Sequence, residues 1–314
     1  MASGGVARQP SRALVINFNS LDTLAVTVDA LVGDHIATVV VDNASDDGSA
    51  QYLQKESRVI SVLNPVNLGA AAARNIGVAM GKGNILLLDS DIAYIPGSYV
   101  YLEDVLAKNH VDCVGFDPYC CTSDPSSVWQ GVPDATTAVR EGWIAYTQYG
   151  LFTERVFEFC RFDDAYGPGW GLEDDDLYLQ MLSHGMRSKE VRWKYFHRRH
   201  SSIYALAQRG QSINYIDRSM HFEAKWGMAY VPGIGRLLSG LSREQLQVFE
   251  LCFIARLPVD AVGEALRLSH SCVSSHVATI RNRLNSRSTC DGRQYVSPRQ
   301  GGHKCSDVTI REER

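Results

Sequence analysis

The apolar positions of this chain fall into short blocks at its start and into helical spacing at its end. Ala13 to Phe18 is an apolar run that predicts a first strand, and Leu21 to Leu31 has the spacing of a helix. Ile36 to Val41 is a β-branched run, a second strand, ending at Asp42-Asn43. Ser45-Asp46-Asp47-Gly48-Ser49 is turn and cap chemistry leading into a short helix from Ala50 to Ser57. Val59 to Leu63 predicts a third strand. Asn67-Leu68-Gly69 opens an Ala-rich helix from Ala70 to Met80, and Gly81-Lys82-Gly83 turns the chain into a strand that ends at Asp89. Strands alternating with helices at this spacing predict an α/β fold with a doubly wound, mostly parallel sheet. Sheets of this kind bind ligands at the carboxyl ends of their strands, where Asp42 and Asp89 fall.

The rest of the chain is less even. Ile92 to Arg161 mixes aromatics with turn residues and yields no clear elements. Leu172 to His184 carries helix periodicity behind an acidic start, and Val191 to Phe196 predicts a strand that leads to His197-Arg198-Arg199-His200. A Pro/Gly break follows at Val231-Pro232-Gly233-Ile234-Gly235, and beyond it Leu241 to Leu284 is helical in pattern throughout. These changes of pattern divide the chain into an N-terminus at 1–11, an α/β domain at 12–230, a small helical domain at 237–286 and a tail at 287–314 rich in Arg, Ser, Gly and Gln.

Ile85-Leu86-Leu87-Leu88-Asp89-Ser90-Asp91 carries the first candidate chemistry. A buried strand rarely ends in two carboxylates, because ionised groups are costly to desolvate without a partner. Residues i and i+2 of a strand point the same way, so Asp89 and Asp91 can converge on one hard cation, Mg²⁺ or Mn²⁺. Charge and cysteine content add little. The 314 residues carry a formal charge of −4, which gives no global pull toward nucleic acid. Eight cysteines lack framework spacing, as expected of a reduced, cytoplasmic protein, and Cys290, His303 and Cys305 fit no zinc pattern. Met1 to Ser11 has no apolar core of a signal peptide, and no run reaches the length of a membrane span.

Six motifs, in order, resemble a family 2 glycosyltransferase of the GT-A fold over roughly residues 12 to 205. They are Val15-Ile16-Asn17-Phe18-Asn19, Val39-Val40-Val41-Asp42-Asn43-Ala44-Ser45, Asn67-Leu68-Gly69, Ala73-Arg74-Asn75-Ile76-Gly77, Leu88-Asp89-Ser90-Asp91 and Gly169-Trp170-Gly171-Leu172-Glu173-Asp174-Asp175-Asp176. The resemblance implies a nucleotide-sugar donor, a UDP-hexose, held by Asn17, Asn19, Asp42, Asn67, Arg74 and Asp89. Asp42 would accept from uracil N3–H, or else cap the next helix. Arg74 would contact a phosphate, or else be a solvated helix arginine. A divalent cation, Mn²⁺ or Mg²⁺, would sit on Asp91 with Asp89 nearby and a histidine as a further ligand; His197 stands in that place, with His200 second. The acidic motif resembles that of galactosyltransferase-like and chondroitin-synthase-like enzymes. It implies Asp174 as catalytic base, Glu173 beside a sugar and Trp170 as a stacking face for the acceptor. Asp175 and Asp176 are expected to cap and solvate the helix.

A second resemblance, to the helix-turn-helix domain of LuxR-type regulators, covers about fifty residues from Leu241. It rests on Leu241-Ser242-Arg243-Glu244-Gln245-Leu246-Gln247-Val248, on Ala261-Val262-Gly263-Glu264-Ala265-Leu266-Arg267-Leu268-Ser269 and on Val273 to Leu284. Ser242 with Gln245 is a capping-box arrangement. The last helix would lie in a major groove, with Ser271, Ser274, Ser275 and Arg281 as contacts. Together the two resemblances imply an inverting, metal-dependent transfer of a sugar to a hydroxyl, foremost that of a hydroxymethylated pyrimidine in DNA. Two other readings stand beside it. One keeps the chemistry but has a glycan, protein or small-molecule acceptor, with the helical part for docking. The other is a DNA-binding regulator whose α/β domain senses a sugar nucleotide.

Overall fold

The computed structural model describes residues 11–124, 131–167, 171–198, 215–227, 230, 234, 238 and 240–285. The expected alternation is present. It runs β1 (Ser11–Asn17), α1 (Leu21–Gly33), β2 (Ala37–Asp42), α2 (Ser49–Lys55), β3 (Ile60–Leu63), α3 (Ala70–Ala79) and β4 (Asn84–Asp89). The middle stretch without a clear pattern holds α4 (Ser98–Asn109), β5 (Cys113–Phe116), β6 (Cys121–Thr122), β7 (Val139–Glu141), β8 (Tyr149–Phe152) and α5 (Glu154–Phe159). Then come α6 (Glu173–Ser183), β9 (Ser188–Val191), β10 (Tyr195–Phe196) and α7 (Tyr215–Trp226). The C-terminal helices are α8 (Arg243–Phe249), continued by a π-helical turn over Glu250–Ile254, α9 (Val259–Leu266) and α10 (His270–Asn285).

Eight strands form one sheet in the order β3-β2-β1-β4-β8-β5-β9-β7. β1, β2, β3 and β4 pair in parallel, as do β5 and β9, whereas β8 runs antiparallel to both of its neighbours and β7 antiparallel to β9. The sheet is therefore mixed. Its two faces are separated by the period of two along each strand. Ala13, Val15, Val40, Leu86 and Leu88 belong to one core with Leu24, Val28 and Leu31 of α1 and Leu102 and Val105 of α4. Leu14, Ile16, Val39, Val41, Ile85 and Leu87 belong to the other, with α3, α5 and α6.

The strand expected over Val191 to Phe196 is two strands, β9 and β10, and β9 begins earlier, in the polar Ser188-Lys189-Glu190. Glu190 is buried there and accepts hydrogen bonds from Trp143 Nε1 (2.7 Å) and the Tyr146 hydroxyl (3.2 Å). Those partners replace the water that a polar strand would otherwise need. The short β10 instead pairs in parallel with β6, forming a second, two-stranded sheet.

The capping box at the start of α8 is formed. Gln245 N–H donates to Ser242 Oγ at 3.1 Å and Ser242 N–H to Gln245 Oε1 at 3.0 Å. The last three helices pack on one another, and the π-helical turn also lies against α6. Val248, Phe249, Val262, Val273, Val277 and Ile280 belong to one apolar cluster with Leu177 and Met181 of α6 and Phe222 and Trp226 of α7. These helices thus share an apolar cluster with the α/β part. Among the described residues all cysteines are free thiols, and no helix is long and apolar enough to cross a membrane.

Gly115 in β5 shows how closely the unread middle packs. A Cβ there would lie 2.1 Å from Tyr146 Cβ and 2.8 Å from the Tyr149 carbonyl oxygen. Gly115→Ala is expected to lower the unfolding free energy by about 1–3 kcal/mol, the usual cost of forcing a methyl group into a filled core. Urea titration checks this, and wild-type stability in the variant would contradict the packing of β5 on residues 146–150.

Candidate functional site

The carboxyl ends of β1, β2 and β4 lie side by side. Asn17 is level with Asp42, and Ile16 with Asp89. At the first pair, Asn17 Nδ2 donates to Asp42 Oδ1 (2.6 Å) and Ser45 Oγ (3.1 Å). Ser45 in turn gives both its hydroxyl (2.6 Å) and its N–H (3.0 Å) to the two Asp42 oxygens. Asp42 is buried, so these donors are what make its charge affordable at a strand end. Asp42 does not cap the next helix, whose N-cap is Gly48 without a side-chain bond; it caps its own loop, and a carboxylate with about four lone-pair sites can still accept a further donor.

Asn19, in the left-handed region at φ 53°, ties the β1–α1 loop to the β2–α2 loop. Its N–H donates to Ser45 Oγ (2.9 Å), and its Oδ1 accepts from Asp46 N–H (2.9 Å). Asn67 Oδ1 accepts from Gly69 N–H (2.9 Å). The segment that carries Asn67 is held by Asn43, whose Nδ2 donates to Gly69 O (3.0 Å) and whose Oδ1 accepts from Asn64 Nδ2 (3.0 Å). Asn17, Asn19 and Asn67 therefore shape the loops around the strand ends. Ser45 and Asn43, which lie inside the quoted motifs but were not singled out, hold them together.

Asp91 and His197 meet through backbone pairing. Phe196 is level with Thr122 in the small sheet, Ile92 bridges to His197, and Arg198 N–H donates to Asp91 O at 2.8 Å. These bonds place His197 Nε2 3.4 Å from Asp91 Oδ1. Two donor atoms at that separation can both lie about 2.1 Å from one divalent ion, whereas Asp89, expected as a further ligand, turns to Arg74 and does not gather with them into a three-ligand group. Burial disfavours charge on His197, but hydrogen bonds to Asp91 and Cys121 outweigh it and raise its pKa to about 10. His200 and Trp170 lie outside the described residues.

Arg74 is the centre of the site. It is 3 % exposed and projects from α3, where the small residues Ala71 and Ala73 pack into the core. Nη2 reaches Asp89 Oδ1 at 2.9 Å, and Nη1 reaches Glu173 Oε1 at 3.3 Å and Asp174 Oδ1 at 3.5 Å. The guanidinium carbon stands 5.4 Å from the centre of the Phe162 ring. Arg74 is not the solvated helix arginine of one reading: it is buried and engages three carboxylates. Burial lowers its pKa, but the charges of Asp89, Asp174 and Glu173 more than reverse that.

The acidic run starts from a turn that only a well-anchored chain could hold. Gly171 (φ 115°) precedes Leu172 at φ 75°, a left-handed conformation that is costly for a bulky residue. Leu172 is buried, which anchors it. The Gly171 N–H donates to Glu173 Oε2 at 3.1 Å, fixing the carboxylate that meets Arg74. Asp174 also accepts a short hydrogen bond from the Thr147 hydroxyl. Thr147 lies in the middle stretch, where no sequence signal marked it.

Asp175 accepts from the Tyr230 hydroxyl at 2.8 Å, and burial raises its pKa to about 6. Asp176 corrects the expectation of a solvated helix start. It is fully buried and accepts from Trp226 Nε1 (2.7 Å), Gln180 Nε2 (2.7 Å), the Tyr166 hydroxyl (3.3 Å) and Lys225 Nζ (2.9 Å). Trp226 and Lys225 come from α7, so Asp176 fastens that helix to α6.

The two halves share one electrostatic environment. Burial raises the pKa of Asp89; Arg74 opposes that, Asp91 adds to it, and His197 opposes it again. Burial likewise raises that of Asp174, with Arg74 opposing, and Asp89 is felt there too. On α10, Ser271 and Ser275 are exposed, Ser274 is half-buried, and exposed Arg281 lies 6.0 Å from the Phe253 ring centre.

Comparison with known proteins bears on the fold and on the N-terminal half of the chain. Residues 13–160 match the family model described as glycosyl transferase family 2. An uncharacterized glycosyltransferase of Escherichia coli K12, YibD, is 22 % identical over 123 residues, which cover 37 % of this chain and 36 % of that one. The crystal structure of GalNAc-T7 with UDP, GalNAc and Mn²⁺ has the same fold, with a TM-score of 0.53 at 15 % identity over 88 % of this chain and 58 % of that one. This chain therefore spans about a third of the curated relative and somewhat over half of the solved structure.

Asp174 makes a prediction about stability. Its pKa is raised from 3.8 to about 8, so folding favours its protonated form, and its contribution is lost as pH rises between those values. Its side chain is 31 % exposed, which moderates the effect. Asp174→Asn keeps an acceptor for Thr147 without the charge. Its melting temperature is expected to match wild type in acid and exceed it progressively toward pH 8, as thermal unfolding followed by circular dichroism would register. A difference that stayed flat with pH would contradict the assignment.

Proposed function

We propose that this chain is a metal-dependent, inverting glycosyltransferase that moves a hexose from a UDP donor to a hydroxyl acceptor. One observation carries the reading. Arg74 joins Asp89, beside the metal-binding pair Asp91 and His197, to Glu173 and Asp174 of the acidic helix. A donor-binding end and a base thus face one buried cation. The family match over residues 13–160 and the fold shared with GalNAc-T7, solved with UDP and Mn²⁺, support the same chemistry.

The uracil ring would lie against Asp42, with Asn17 and Ser45 fixing its carboxylate. A divalent ion on Asp91 and His197 supplies charge neutralisation for the departing diphosphate. Asp89, held by Arg74, would orient the ribose or an ion-bound water. Asp174 accepts the proton of the acceptor hydroxyl at a carboxylate oxygen, and Thr147 and Arg74 hold that carboxylate in position. Its raised pKa makes it a stronger base than an ordinary aspartate. Glu173 keeps Arg74 and the Gly171 turn in register and borders the sugar. A base on the side away from the leaving group gives in-line displacement and inversion at the anomeric carbon.

For the acceptor we favour hydroxymethylated pyrimidine in DNA, a choice that rests on the C-terminal helices alone. α9 and α10 are joined by the three-residue turn Arg267-Leu268-Ser269, with Arg267 left-handed at φ 57°, and α10 exposes Ser271, Ser275 and Arg281. A helix-turn-helix would use such a face in a major groove. Glycan, protein and small-molecule acceptors are the alternative. Because these helices share a core with α6 and α7, surface substitutions are the cleaner probe than deletion.

Asp174→Asn is expected to lower kcat by about 10²–10⁴-fold, the usual worth of a general base, with donor affinity nearly unchanged. Asp91→Ala should lose activity and metal dependence together. Labelled UDP-hexoses assayed against hydroxymethylated duplex, unmodified duplex and glycan acceptors read both points. Full activity of the Asp174 variant would end the mechanism. Transfer to a glycan with none to either duplex would end the DNA reading while leaving the chemistry intact.

A further inference from the structure

A cluster of metal-ligating side chains lies in the C-terminal helices, on elements other than those that carry Asp91 and His197. Glu244 in the first turn of α8 faces Cys272 and His276 of α10. His276 Nε2 is 2.6 Å from Glu244 Oε1, Cys272 Sγ is 3.6 Å from His276 Nε2, and Cys272 Sγ is 4.0 Å from Glu244 Oε1. A thiol, an imidazole and a carboxylate thus converge from two helices. The spacing of four between Cys272 and His276 puts both on one face of α10.

The scaffold around them is fixed independently. The Ser242 capping box sets the start of α8 and with it Glu244. Ser269 Oγ accepts from the Cys272 N–H at 3.2 Å at the start of α10. Val273, Val277 and Ile280, on the buried side of α10, lock its rotation. Cys272 and His276 are half-buried and Glu244 is exposed, so an ion has a path in from solvent.

We infer that Glu244, Cys272 and His276 bind one Zn²⁺ ion that staples α8 to α10. Zinc takes sulfur, nitrogen and oxygen ligands at about 2.0–2.3 Å in tetrahedral array, which sets the donor atoms about 3.5 Å apart. The sulfur–nitrogen separation already has this value. The sulfur–oxygen distance would close slightly, and the nitrogen–oxygen contact, now a hydrogen bond, would open. The fourth position goes to water. A thiolate and an imidazole select zinc over the hard ions suited to Asp91. Binding transfers the Cys272 proton to solvent, so affinity rises with pH.

Cobalt(II), added to the full-length chain as a probe, tests this. The expected result is one tetrahedral cobalt centre per chain with a thiolate-to-metal charge-transfer band, displaced by zinc and not by manganese. Cys272→Ser and His276→Gln should each abolish the band while keeping the helical circular dichroism of the wild type, and Asp91→Ala should retain it. Zinc should also raise the melting temperature of the wild type and not of Cys272→Ser. Absence of the band in the folded wild type would overturn the proposal. So would its persistence in Cys272→Ser, or its loss only when Cys290 and Cys305 are changed to Ser.

Discussion

One buried guanidinium draws three carboxylates from two places in the chain onto a single point. Asp89 comes from the tip of β4, Glu173 and Asp174 from the first turn of α6, and Arg74 from α3 between them. Without a cation these acids would repel one another and would be costly to desolvate. Arginine suits the position because its planar fork offers several donors at once and keeps its charge when buried. The Phe162 ring covers part of the remaining surface. Removing Arg74 would therefore do more than delete three contacts, because it would leave three acids close together without a cation.

The part of the fold built from simple alternation was legible. β1 to β4 and α1 to α3 appear within a few residues of where apolar runs and Gly or Asn turns put them, because β1, β2 and β4 are buried on both faces and β3, at the sheet edge, is still a short apolar run between turns. The placement of Asp89 at a strand end, the approach of His197 to Asp91 and the acidic start of α6 could also be read, because charges at strand and helix ends stand out against apolar neighbours; Asp91 lies in the turn beyond β4, and it meets His197 while Asp89 turns to Arg74. The middle could not. Its strands are two to four residues long, and its core is made from tyrosines whose hydroxyls bond locally, as Tyr149 does with Ser98 and Ile95. β9 escaped because Lys189 and Glu190 read as surface until Trp143 and Tyr146 are seen to meet Glu190. Asp176 misled for the same reason: the residues that make its burial tolerable, Lys225 and Trp226, lie in a later helix. Thr147 has no signature at all.

The C-terminal helices join the α/β part through shared apolar contacts, and the Asp176 network fastens α7, which belongs to the same apolar cluster, to α6. Their last helix keeps a polar outer face, with Ser271, Ser275 and Arg281, while its inner face is locked. Whatever macromolecule or sugar meets that outer face would do so at a fixed orientation relative to α6, the helix that carries Asp174. Docking and chemistry are in this sense mechanically linked.

The strand order has a consequence for synthesis. β8 lies between β4 and β5 although it is made after both, and β7 can pair only once β9 has emerged. A chain growing from its N-terminus therefore completes β1 to β4 early but leaves one flank of β4 with its peptide groups unmatched until Tyr149–Phe152 leave the ribosome. An apolar strand waiting open in this way is a place for stray pairing. The interval between residues 89 and 149 is thus the stretch of translation in which this protein is most exposed to aggregation and most in need of a chaperone.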